Sequence, residues 1–97
     1  MTHERNLQAS AVRWLNQQPG TVARVNGPGP AHVTGDPDLY GCINGRMFHI
    51  ELKTEAKGSA TREIQDYWLE KWSEAGALTA TGRSMSEVRR LHAQWSS

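Results

Sequence analysis

The segment that most constrains the fold is residues 38–53, in which Asn44-Gly45 separates two runs of strand-forming residues. Asn-Gly between such runs is the strongest short-range signal for a β-hairpin with a two-residue turn. Counting outward from this turn places Asp38 opposite Glu51, and alternation places Lys53 on the same face. The same count predicts three further opposed pairs: Ile43 with Arg46, Cys42 with Met47, and Tyr40 with His49.

The predicted pairing brings two carboxylates together at the open end of the hairpin. Like charges that lie directly opposite each other destabilise a sheet, so the Asp38–Glu51 pair requires compensation. Lys53 supplies part of it. A divalent cation compensates more fully, because hard cations such as Mg²⁺ bind carboxylate oxygens together with waters. The hairpin therefore predicts a candidate metal site.

Length and charge limit what surrounds this hairpin. Ninety-seven residues with a net charge of +1 indicate one small globular domain over residues 1–97. The sequence contains no apolar run of membrane-spanning length and no apolar segment typical of a secretory signal, so we expect a cytoplasmic protein without membrane contacts. The single cysteine, Cys42, excludes an internal disulfide and a Cys-rich zinc site.

Hydrophobic periodicity predicts the elements on either side of the hairpin. They are a helix over 3–17, a strand over 21–26, a helix over about 61–75, a strand over 77–81, and a last helix opened by the capping box Ser84–Glu87. The second helix is long enough to connect parallel strands. We therefore predict an α/β fold with a mixed four-stranded sheet flanked by helices, and we expect Trp68 and Trp72 to pack in the core.

Pro37-Asp38, followed after a hairpin by Glu51-Leu52-Lys53, resembles the motif of the PD-(D/E)XK nuclease superfamily. The wider pattern is similar to the VRR-NUC subgroup, and the similarity extends from Glu4 to about Val88. The residues that carry it are Gly35-Asp36-Pro37-Asp38-Leu39, Glu51-Leu52-Lys53, Gly58, Gln65 and Gly76. The resemblance implies a restriction-endonuclease-like αβββαβ core plus a C-terminal helix, in a minimal stand-alone form of phage or bacterial origin.

The resemblance also implies an activity, a Mg²⁺- or Mn²⁺-dependent endonuclease that hydrolyses DNA phosphodiester bonds. Asp38, Glu51 and the backbone carbonyl of Leu52 would bind the metal, and Lys53 would orient or deprotonate the attacking water. Gln65 matches a further polar residue of the family's site. A homodimer acting on branched DNA, such as a Holliday junction, is expected, with no organic cofactor. A carboxylate-held metal and a nearby ammonium are sufficient for this chemistry.

Several other charged residues have two interpretations. Glu4 is either a first-turn acid favoured by the helix dipole or a third metal ligand that matches the family's N-terminal acidic position. A second group is either a solvated surface or a set of phosphate contacts: Lys57, Arg83, Arg89 and Arg90. Asp36 is interpreted as a turn residue.

Two alternatives to a nuclease stay open at this point. The first is a binding module on the same fold, which would hold nucleic acid or a protein without cleaving it. The second is a small domain in which Lys53 only pairs with neighbouring acids, an interaction of roughly 0–1 kcal/mol when exposed. Metal-dependent cleavage of DNA distinguishes the nuclease from both.

Overall fold

The computed structural model describes residues 3–27, 29–30, 33–53 and 59–97, and among these the side chains of residues 3–5 and 59–61 are not described. The elements in chain order are α1 (His3–Asn16), β1 (Thr21–Val25), β2 (Leu39–Ile43), β3 (Arg46–Leu52), α2 (Ser59–Glu74), β4 (Leu78–Gly82) and α3 (Met85–Ser96). The sheet has the order β1-β2-β3-β4. Its first three strands are antiparallel, whereas β3 and β4 are parallel. The predicted α/β fold with a mixed sheet is therefore confirmed.

The turn between β2 and β3 has the geometry that Asn-Gly favours. Asn44 and Gly45 have φ angles of 49° and 86°, and a type I′ turn requires positive φ at both positions. The three further predicted pairs are present in the ladder. The pair furthest from the turn is Leu39 with Ile50. Asp38 therefore lies directly before β2 and is not a ladder partner of Glu51. Pro37, which precedes it, has no N–H with which to extend the pairing.

The hydrophobic core lies between one face of the sheet and the helices α1 and α3. Alternate residues of β3 point into it, because successive side chains of a strand face opposite sides. α1 contributes Leu7, Ala11 and Leu15, which recur at the spacing of one helix face. The buried apolar side chains are Leu7, Ala11, Leu15, Ala23, Leu39, Ile43, Phe48, Ile50, Leu52 and Val88.

The outer edge of β1 is closed by a side chain. The amide of Asn16, the last residue of α1, accepts a hydrogen bond from Ala23 N at 2.9 Å and donates one to Ala23 O at 3.1 Å. This pair imitates a neighbouring strand. It satisfies backbone groups that an edge strand would otherwise present for association.

α2 packs on the opposite face of the sheet, over β3 and β4. The helix begins two residues before the predicted start. The expectation that Trp68 and Trp72 belong to the core was wrong, because both are only half-buried and lie outside the buried apolar cluster. Ile64, on the same helix, is 41% exposed. The reason is that α2 packs against a polar layer of the sheet, as described below.

None of the helices in the described ranges is long and apolar enough to cross a membrane.

Candidate active site

Three of the predicted site residues, Asp38, Glu51 and Lys53, lie at the end of the sheet where β3 and β4 end and β2 begins. Lys53, just past β3, donates its backbone N–H to the carbonyl of Gly82 at the end of β4, at 2.9 Å. Asp38 enters the same corner from the other side of β3, since it directly precedes β2. Carboxyl ends of neighbouring parallel strands are a recurrent position for binding sites in α/β sheets.

The Asp38 carboxylate is held against β3. Its Oδ2 accepts a hydrogen bond from the backbone N–H of Leu52, at a distance of 2.8 Å. Leu52 follows Glu51, whose side chain is fully buried. Burial of a carboxylate is expensive unless partners or a cation compensate its charge. The Asp38 carboxylate therefore reaches β3 at the residue that follows Glu51, through a hydrogen bond from the side chain to the backbone and not as the predicted ladder pair.

Lys53 is oriented by a residue that sequence reasoning missed. Its Nζ lies 3.6 Å from Oδ1 of Asp66 on α2. The lysine side chain is 19% exposed and the aspartate side chain is 65% exposed. The contact shows that the odd-numbered side chains at the end of β3 face α2. The sequence signal for this contact was that Asp66 directly follows Gln65. It was not sufficient, because the strand that a helix side chain faces depends on how the helix packs.

Gln65 lies on the buried side of the same helix turn. Its side chain is 7% exposed, and its Oε1 has no hydrogen-bond partner among the described residues. A buried polar atom of this kind normally binds water or a ligand. Gln65 is therefore available to act as a hydrogen-bond acceptor on the buried side of α2.

His49 is the second residue that sequence reasoning left without a role. It precedes Glu51 by two positions and lies buried on the same face, with its ring stacked on Trp72 at a centroid distance of 3.9 Å. Burial lowers the pKa of His49, and the charge of Asp36 partly offsets this by raising it. The ring is therefore neutral at pH 7. The predicted opposition of Tyr40 and His49 could have indicated this placement.

The segment before Asp38 is fixed to α2. Gly35 has a φ of +88°, and a Cβ at this position would overlap Cγ2 of Ile64. Only glycine meets both conditions, positive φ and close approach. Pro37 is buried. Gly35 and Pro37 therefore fix the backbone path that places Asp38 at this end of the sheet.

The remaining predicted residues are distributed unevenly. Arg83 follows Gly82 and so lies at the edge of the corner, with its side chain exposed. Arg89 and Arg90 are exposed on α3, roughly 6–8 Å along the helix axis from its first residue at 1.5 Å per residue. Lys57 lies outside the described residues, as does the side chain of Glu4.

The donors at the corner suit a hard divalent cation. They are carboxylate oxygens of Asp38 and Glu51, with the Leu52 carbonyl next along the chain, and Mg²⁺ binds one or two carboxylates and keeps several waters. The side chains that the structure describes contain no group of three or more His, Cys, Asp or Glu residues placed to hold a metal. Two carboxylates are compatible with Mg²⁺, whereas zinc requires more protein ligands.

The element order and the mixed four-stranded sheet flanked by helices define the α/β fold class of the chain. Comparison with solved structures narrows this class. One structure described as a VRR_NUC domain superposes with a TM-score of 0.74 at 21% identity, covering 98% of this chain and 99% of the other. A second, described as a VRR_NUC domain protein, has a TM-score of 0.72 at 20% identity, covering 98% and 88%.

The chain thus has the fold of a VRR-NUC domain over nearly its whole length, and the resemblance predicted from its motifs is confirmed at the level of the fold. No protein-family model and no curated protein matches the sequence.

Proposed function

We propose that the protein is a metal-dependent endonuclease that hydrolyses DNA phosphodiester bonds. The observation that carries the proposal is the hydrogen bond from the Leu52 N–H to the Asp38 carboxylate, because Leu52 lies in the chain between the buried Glu51 and Lys53. In this proposal the two acids and the lysine ammonium act together at this end of the sheet. A site of this composition, on a VRR-NUC fold, supports phosphodiester hydrolysis more directly than it supports a passive ion pair.

Each side chain has a distinct task in this proposal. A divalent cation, when bound, supplies a more acidic water and neutralises charge on the phosphate. Asp38 and Glu51 hold it, with the Leu52 carbonyl as a further donor. Lys53 donates to a phosphate oxygen on which negative charge develops, and this preference for the transition state accelerates the reaction. In this proposal the buried Oε1 of Gln65 accepts a hydrogen bond from the attacking water and so orients it.

Cleavage of labelled DNA tests the proposal. Four-way junction, flap, duplex and single-stranded substrates are incubated with Mg²⁺ or Mn²⁺ and, in parallel, with EDTA. We expect metal-dependent cutting that Lys53→Ala lowers by about 10²–10³-fold, the loss typical for one donor to a developing charge. Lys71→Ala is the matched control, because Lys71 is an exposed lysine on α2 that lies over the Tyr67 ring. Equal rates for both variants would contradict the role of Lys53.

Metal binding has a readout that is independent of cleavage. A cation that binds only the folded protein raises the free energy of unfolding by about 2.7 kcal/mol at 100 times its Kd. We expect Mg²⁺ or Mn²⁺ to raise the thermal midpoint of the parent protein and to leave that of Glu51→Gln unchanged. DNA binding without metal-dependent cutting, in a protein that shows this shift, would favour the non-cleaving binding module.

We further propose that the substrate is branched DNA and that two copies of the chain act together. One small site cuts one strand, so two sites are needed to cut both strands at a junction. An exposed apolar row formed by Val22, Cys42 and Met47 supports association, since β1, β2 and β3 place these residues side by side. Sedimentation of the parent and of Met47→Glu measures this. A parent protein that cuts junctions as a monomer would exclude the dimer.

A further inference from the structure

A cavity of about 270 Å³ lies on the core side of the sheet, between the first turns of α1 and the connection from β4 to α3. Its lining residues are Asn6, Leu7, Ser10, Arg83, Ser84 and Met85. None of the cavity residues has a role in the proposed reaction. Small-molecule pockets begin at about 300 Å³, so the volume of this cavity suits one small group and not a duplex.

The cavity is adjacent to the candidate active site through the backbone. Gly82 accepts the hydrogen bond from the Lys53 N–H, and the cavity residues Arg83, Ser84 and Met85 follow Gly82 directly. Both features therefore lie at the end of the sheet where β3 and β4 finish, so a DNA strand with its scissile phosphate at Lys53 would reach the mouth of the cavity by passing around this end.

The lining has the chemistry of a nucleobase site. The Asn6 amide and the Ser10 hydroxyl can each donate and accept hydrogen bonds, as the edges of bases require. Leu7 and Met85 present apolar surface to the faces of a base, and the thioether of methionine makes favourable contacts with aromatic rings. The exposed Arg83 lies at the rim, where it can pair with the phosphate of the same nucleotide.

Binding of a phosphate or another anion inside the cavity is disfavoured by a carboxylate at its rim. Glu87 accepts a hydrogen bond from the backbone N–H of Arg83 at 2.9 Å, and its own N–H donates to Ser84 Oγ at 3.2 Å. The negative charge of Glu87 therefore lies beside the residues that line the cavity. A neutral base inside, with its phosphate outside on Arg83, fits this charge distribution better than a free phosphate does.

We infer that this cavity binds one unpaired nucleobase of the DNA strand, at a nucleotide next to the cleaved bond. The inference rests on the proposed function and deepens it, because it defines the substrate as DNA with an unpaired nucleotide beside the cut. Fully paired DNA would have to extrude the base first, which costs a few kcal/mol.

The test is an abasic scan of the DNA substrate that the parent protein cuts best. Each of the three nucleotides on either side of the cut is replaced in turn by an abasic site. The Kd is measured in EDTA and kcat/KM in Mg²⁺. We expect one position at which loss of the base weakens binding roughly tenfold, within the range known for contacts to single bases. The scan uses the parent protein and needs no variant to fold.

A variant that fills the cavity shows whether the base found by the abasic scan is the one that the cavity binds. Ser10→Leu should weaken binding of the intact substrate to the abasic level and remove the effect of the abasic site. Ser96→Leu is the matched control, an exposed helical serine at the opposite end of α3, and should behave as the parent does. A flat abasic scan in a protein that cuts DNA would overturn this inference alone. A parent protein that neither binds nor cuts any substrate would overturn the proposed function as well.

Discussion

Asp38 has a structural task that can be separated from its proposed role in metal binding. Its carboxylate accepts the N–H of Leu52, a fully buried residue, at 2.8 Å. Asp38→Asn and Asp38→Ala both remove the charge, but only asparagine retains an oxygen that can accept this hydrogen bond. The difference between the two variants therefore isolates the hydrogen bond from the repulsion between Asp38 and Glu51.

The expected difference follows from the cost of removing a buried acceptor, about 1–3 kcal/mol. Taking about 2 kcal/mol, Asp38→Ala should unfold roughly 8–16 °C below Asp38→Asn, because 1 kcal/mol shifts the midpoint of a domain of this size by about 4–8 °C. The assay is thermal and urea unfolding in EDTA, with both variants free of metal. When Mg²⁺ replaces EDTA, the thermal midpoint of neither variant should rise. Coincident unfolding curves for the two variants would refute the assigned contact.

Three further outcomes follow from the site and its supports. Gly35→Ala should lower the free energy of unfolding by about 1–3 kcal/mol more than Gly45→Ala does. Both glycines have a positive φ, 88° and 86°, but only at Gly35 would an added Cβ overlap Ile64. Equal urea midpoints for the two variants would disprove the overlap. Since burial lowers the pKa of His49, the unfolded chain binds a proton that the folded chain does not, so stability should fall as the pH drops below about 6.5. His49→Phe should lose less stability between pH 7 and pH 5 in urea titrations, and an unchanged slope would count against this explanation. Asn16→Ala should cost about 1–2 kcal/mol by the same assay, as two bonds to the β1 edge are lost; a cost near zero would mean that water replaces them.

The parts of the fold that depend on local chemistry were predictable. Asn44-Gly45 requires a two-residue turn, and the turn determines the register of the ladder over its whole length. The approach of Asp38 to β3 followed from the same count. The exact contact did not, because Pro37 ends the ladder and the carboxylate then bonds to Leu52 N–H. That bond depends on the path of the preceding segment.

The parts that depend on how two elements pack were not predictable. Periodicity assigned an apolar stripe to α2, and from it Trp72 was expected to be in the core. The sheet face below this helix carries His49, Glu51 and Lys53, so the helix contacts a polar layer instead. Asp66 becomes the partner of Lys53 for the same reason. Sequence spacing defines which residues share a helix face but not which strand residues they meet.

The two ends of the sheet differ in what they tolerate. At the end away from the site, Asn44-Gly45 joins β2 to β3 in the shortest possible way, and no Cβ added at Gly45 meets another atom within 4 Å. At the other end lie Asp38, directly before β2, and Lys53, directly after β3. A fluorophore or tether at position 45 would therefore sit a full strand length from the proposed site, where it can report on the protein without altering Asp38, Glu51 or Lys53.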